Sequence, residues 1–176
     1  MGMLLVAYPF VVYIGLQYLP PRWLSIALLA LISLRLFLSK PLLAKMPWLP
    51  VAFALGAMVL LMSAFANNEL GILLYPVAVN IAMMLAFAYS LINKPSIIET
   101  FARIKEPELS DKAVKYTENV TKVWCAFFAL NAAVSLYSAL CLSKQAWILY
   151  NGLISYILVA LLFAIEWLVR QKVKHS

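Results

Sequence analysis

The sequence predicts an all-α polytopic membrane protein: six transmembrane helices in three hairpins, both termini cytoplasmic, with one amphipathic insert on that same side. Three observations carry this prediction. Of 176 residues, 65% are hydrophobic and only 12% charged, about half the charged share of a soluble domain. The apolar residues form runs close to the ~20 that cross a bilayer as a helix. The main polar interruption, residues 94–122, is a single block. Six spans with short joints occupy nearly the whole chain, so residues 1–176 are read as one membrane domain.

The first span covers about residues 3–19. It is expected to be retained, since no basic segment precedes it and it runs into Pro20-Pro21-Arg22 instead of a small-residue cleavage site. That proline pair cannot sit inside a helix and turns the chain into the second span, 23–39, which stops at Lys40-Pro41. The third span, 48–66, turns at Asn67-Asn68-Glu69 into the fourth, 70–92. After the insert come a fifth span, 123–143, a joint at Lys144-Gln145, and a sixth span, 146–169, ending before Arg170. Pro9 and Pro76 fall inside the first and fourth spans and predict kinks, tolerable in a membrane where neighbours satisfy the freed carbonyls.

Orientation follows from Lys and Arg, which stay in cytoplasmic loops. One side receives Lys40, Lys45, Lys94, Arg103, Lys105, Lys112, Lys115, Lys122, Arg170, Lys172 and Lys174, the other only Arg22 and Lys144. The formal charge of +7 therefore reflects topology and not a nucleic-acid partner, for which there is no soluble basic face. All five tryptophans (Trp23, Trp48, Trp124, Trp147, Trp167) lie near proposed span ends, where an interfacial belt is expected. Cys125 and Cys141 fall on one predicted helix roughly 24 Å apart, too far to bridge.

Within the insert, Ser96-Ile97-Ile98-Glu99 has the form of a capping box. The helix it opens carries Ile97, Ile98, Phe101, Ala102 and Ile104 on one face and Glu99, Arg103 and Lys105 opposite, until Pro107. Its apolar face suits either the leaflet surface or the protein's own spans. A second helix start at Ser110 or Asp111 leads without interruption towards the fifth span. Five acids accompany six bases, so the insert is nearly neutral, unlike a polybasic lipid clamp. Mixed charge suits a protein-docking surface, and the candidate docking residues are Ile97, Ile98, Phe101, Arg103, Lys105, Glu108, Asp111 and Lys112.

Only Arg35 and Glu166 are charged residues well inside apolar runs. Both lie some 6 to 8 Å from the cytoplasmic boundary by helical rise. They could pair between spans two and six; alternatively Arg35 snorkels and Glu166 pairs with Arg170 one turn on. Asn80, Asn131 and Asn151 are candidate interhelical hydrogen-bond contacts. Catalytic constellations are not visible: the single histidine, His175, is next to the last residue, and there is no phosphate-cradling glycine loop. Neither a metal nor a cofactor is expected.

The segments Lys94-Pro95-Ser96-Ile97-Ile98, Tyr116-Thr117, Val123-Trp124-Cys125-Ala126-Phe127-Phe128-Ala129-Leu130-Asn131, Trp147, Tyr150-Asn151-Gly152-Leu153-Ile154 and Glu166-Trp167-Leu168-Val169-Arg170 carry a resemblance. With them the chain resembles a family of small bacterial inner-membrane proteins encoded with type II polyketide or fatty acid enzymes in aryl polyene pigment clusters. The resemblance covers the C-terminal half; the first half matches in hydropathy only. More remotely, the layout is similar to intracellular septation protein A. The first resemblance implies a membrane accessory or scaffold for aryl polyene or related acyl-lipid biosynthesis, with membrane lipids and soluble acyl-chain or polyketide enzymes, or a carrier protein, as partners. A small transporter or flippase subunit for a lipid-linked product is the alternative, and would call for a homo-oligomer.

Overall fold

The computed structural model describes residues 3–38 and 49–174, and 89% of it is helix, with no strand among the described residues. The helices are α1 (Met3–Tyr18), α2 (Pro21–Leu38), α3 (Leu49–Ala66), α4 (Leu70–Leu73), α5 (Tyr75–Ile92), α6 (Ile97–Lys105), α7 (Asp111–Cys141), α8 (Lys144–Leu149) and α9 (Ser155–Lys174). A π-helical segment, Tyr150–Ile154, joins α8 to α9. Four stretches are long and apolar enough to cross a membrane: Pro21–Leu38, Tyr75–Ile92, Asp111–Cys141 and Lys144–Gln171; Phe53–Ala66 is a shorter apolar helix. Large apolar side chains are exposed on every long helix, with Phe65 at 82% and Ile92 at 80%. Such a surface is stable against lipid and not against water.

The joints are built from short-range chemistry. Pro20 and Pro21 separate α1 from α2, and the Trp23 and Leu24 amides donate back to Pro20 O at 3.1 and 3.2 Å. Asn67 closes α3 with a positive φ of 49°, a left-handed conformation that Asn tolerates. The Asn68 amide then returns to Ser63 O at 3.2 Å. Ser96, Ser110 and Ser143 cap α6, α7 and α8, each accepting from the amide three residues on. At one end of the molecule, Arg22 Nε donates to Ala64 O and the Arg22 amide donates to Asn67 Oδ1, both at 3.2 Å. There too Lys144 pairs with Glu69 at 2.7 Å. The joints after α1, α3 and α7 therefore meet, with the insert at the opposite end.

Packing runs as a row, α2 on α3, α3 on α5, and α5 most extensively on α7. One core lies towards the joints: Val12, Leu24, Leu28, Leu60, Ile72, Leu73 and Trp147. A second lies towards the insert: Ala86, Phe87, Ile97, Trp124 and Phe128.

Of the six expected spans, four correspond to the long apolar stretches, and two of these differ in detail. The fourth is not one kinked helix: it divides into α4 and α5 around Leu74, with Pro76 in the first turn of α5, where a proline lacks nothing the helix needs. The sixth begins two residues early, at the Ser143 cap, and carries the π segment, which hydropathy does not encode. Trp23 and Trp167 are exposed as an interfacial belt requires, whereas Trp124 and Trp147 are buried; Trp48 lies outside the described residues.

Candidate functional site

Pro76 has no amide to offer Ile72 O, four residues earlier, and its ring strains the preceding turn. Two side chains from other helices occupy the carbonyls there: the Tyr8 hydroxyl donates to Ile72 O at 3.0 Å, and Trp147 Nε1 to Leu73 O at 3.1 Å. The break in the fourth span is thus a three-helix staple between α1, α4 and α8.

The asparagines are also brought together. Asn80 Nδ2 donates to Pro76 O at 2.8 Å, Asn131 Nδ2 donates to Asn80 Oδ1 at 3.0 Å, and the Tyr150 hydroxyl donates to Asn131 Oδ1 at 2.6 Å. Asn151 forms a separate knot: its Oδ1 accepts from Ser135 at 2.8 Å, and its Nδ2 donates to Ser138 Oγ at 3.2 Å and Trp147 O at 3.0 Å. The π segment lets consecutive residues, Tyr150 and Asn151, both reach α7. It also places Gly152 against α1, where an added Cβ would sit 3.2 Å from Phe10 and 3.4 Å from Pro9. These bonds close on each other, which makes them helix-to-helix connections.

At the other end, the insert packs on the spans. Ile97 is buried in the second core with Phe87, Trp124 and Phe128, where Phe87 and Phe128 meet edge-on at 5.2 Å between ring centres. The Ser96 hydroxyl accepts from the Glu99 amide at 3.3 Å. The reciprocal half of a capping box is replaced: the buried Glu99 carboxylate takes Arg103 Nε and Nη2 at 2.9 and 2.7 Å, and Arg103 Nη1 reaches Pro107 O at 2.8 Å. The Ser90 hydroxyl accepts the Ile97 amide at 3.1 Å. Lys94 forms an ion pair with Glu118. The predicted docking set therefore divides. Ile97 is interior and Arg103 is engaged within its own helix, while Phe101, Glu108, Asp111 and Lys112 are exposed and Ile98 is partly buried. The Lys105 side chain lies outside the described residues.

Between α6, the start of α7 and the end of α9 runs a groove of about 340 Å³, at the small end of ligand sites. Its floor is Val120, Trp124 and Phe163, with Trp124 and Phe163 rings 4.7 Å apart. One wall is Ile98, Phe101 and Ala102 from the insert helix. Its mouth holds Glu106, Tyr116, Glu166 and Arg170. The Tyr116 hydroxyl donates towards Glu166 O at 3.3 Å and Glu166 Oε1 at 3.5 Å. Glu166 thus lines a groove near the insert; the Arg35 side chain, its predicted partner, lies outside the described residues. Tyr116 and Arg170 were not singled out as site residues by the sequence; their signal was the recurrence of polar residues where α7 and α9 leave their apolar runs. Among the described residues, no group of three or more His, Cys, Asp or Glu is placed to hold a metal.

No family model matches the chain, and comparison with curated proteins and with solved structures returns no match.

Proposed function

We propose that the chain is a six-span protein of the bacterial inner membrane, both termini cytoplasmic. Its role is that of a non-catalytic accessory in aryl polyene or related acyl-lipid biosynthesis that docks soluble acyl-chain enzymes or a carrier protein. The observation that carries this reading is the state of the insert. It is tied to the spans by the Ser90 hydrogen bond, the Lys94–Glu118 pair and the buried Ile97. What it leaves outward is a mixed surface, with Phe101 and Ile104 exposed beside Glu108, Asp111 and Lys112. A preorganised surface of that composition costs little ordering entropy when a partner binds, and exposed aromatic residues are common anchors.

Mild detergent extraction followed by affinity isolation tests it. Wild type should retain an acyl-chain synthase or carrier protein, and the combined changes Phe101→Ser and Ile104→Ser should release it while the membrane core stays folded. Unchanged association and unchanged pigment in that variant would sink the proposal. The transport alternative rests on the polar connections of Asn80, Asn131 and Asn151. Those bonds are satisfied internally, which favours a structural role, and loss of export with intact folding in Glu166→Gln would reopen it.

A further inference from the structure

We infer that the groove between α6, α7 and α9 is a binding site for one zwitterionic phospholipid bearing a primary amine. The inference stands apart from enzyme docking and rests on the polarity and charge of the groove itself. Along α7 the lining passes from Ala113 at the mouth to Trp124 at the floor, roughly 16 Å of helical rise. Over that distance the larger lining side chains change from polar, Tyr116 and Thr117, to apolar, Val120 and Trp124. Phe163 and Arg170 mark the same gradient on α9. A lipid has that order of polarity along its length, with acyl carbon below and headgroup above.

The mouth selects among headgroups. Arg170 makes no hydrogen bond or ion pair among the described residues, and its fork of N–H donors suits a phosphodiester. Tyr116 also lines the mouth, its hydroxyl directed at Glu166. Two acids, Glu106 and Glu166, share the mouth and disfavour a purely anionic headgroup, whereas a protonated amine can donate to Glu166. A quaternary amine has no N–H to donate to these carboxylates. The floor of Val120, Trp124 and Phe163 receives one acyl chain, and Phe101 flanks it from the insert helix.

Native mass spectrometry of the full chain tests this, with the detergent-solubilised protein titrated by dioleoyl phosphatidylethanolamine, phosphatidylglycerol or phosphatidylcholine. One phosphatidylethanolamine should be retained about tenfold better than either competitor, the discrimination expected of a charge-assisted contact made or lost. Arg170→Ala should remove retention of all three lipids, and Glu166→Gln should narrow the margin over phosphatidylcholine. Ala113→Phe, which fills the mouth without altering charge, should also abolish retention while helicity by circular dichroism is unchanged. The wild-type comparison needs no variant to fold. Equal retention of the three lipids, preference for phosphatidylglycerol or a free fatty acid, or unaltered binding in Ala113→Phe would each overturn the assignment.

Discussion

Pro76 shows how one residue organises distant ones. A carbonyl released inside a membrane has no water to turn to, so Ile72 O and Leu73 O recruit Tyr8 and Trp147. Tyr8→Phe and Trp147→Phe should each destabilise the fold by about 0.6 to 1.7 kcal/mol, the range of hydrogen bonds between membrane helices. Unfolding in mixed micelles would measure it. Pro76→Ala restores an amide that can reach Ile72 O, so the cost of Tyr8→Phe should largely vanish in that background. A cost independent of residue 76 would refute the staple. The opening at Pro76 was legible in the sequence because proline chemistry is local. Its partners lie 64 and 74 residues away, and no periodicity connects them. The three asparagines were legible as interhelical contacts because amides in apolar runs need partners; that Asn80 and Asn131 choose each other was not.

At the scale of elements, the insert is a helix whose polar face is as structural as its apolar one. Glu99 is buried with its charge met by Arg103, whereas the Lys94–Glu118 pair is partly exposed. Removing the half-exposed Arg103 strands the buried Glu99 carboxylate, while pairs exposed on both sides contribute little. Arg103→Ala should therefore accelerate amide exchange across Ile97–Lys105 far more than Lys94→Ala, and equal effects would contradict the burial argument. Ser96→Ala should add about 1 kcal/mol of helix-start destabilisation, read by the same exchange experiment. Steric fit is equally demanding where α4 meets α3. A Cβ on Gly71 would lie 2.2 Å from Val59 O and 2.7 Å from Ser63 Cβ. Gly71→Ala should thus cost about 1 to 3 kcal/mol or more through forced separation of the two helices, measured as loss of thermal stability in detergent. Helix starts at Ser96 and Ser110 were readable because caps are local. Which face of α6 would be buried was not, since Ile97 and Phe101 suit lipid and protein alike, and only the aromatic cluster of Phe87, Trp124 and Phe128 decides for Ile97.

For the whole molecule, the charges at the two ends are used differently. Arg22 and Lys144, the bases expected on the side away from the cytoplasm, are both held by protein contacts, Arg22 at the α3 terminus and Lys144 at Glu69. Those joints meet at one end and the insert, which holds six of the fourteen Lys and Arg residues, lies at the other; the orientation proposed above, with the insert cytoplasmic, follows the positive-inside tendency. The two native cysteines report on it. Cys141 is exposed at the end of α7 beside the joints, while Cys125 is partly covered within the helix. A membrane-impermeant maleimide added to intact spheroplasts should label Cys141 and spare Cys125. In a Cys141→Ser background, Glu108→Cys on the exposed insert should be labelled only after permeabilisation. Glu69→Ala, by freeing Lys144 near the Ser143 cap, should leave that pattern intact and lower thermal stability by less than about 1 kcal/mol, as for other exposed ion pairs. Labelling of Glu108→Cys in sealed spheroplasts, with Cys141 protected, would invert the proposed orientation and place the groove and the insert on the face away from the soluble enzymes proposed to dock there.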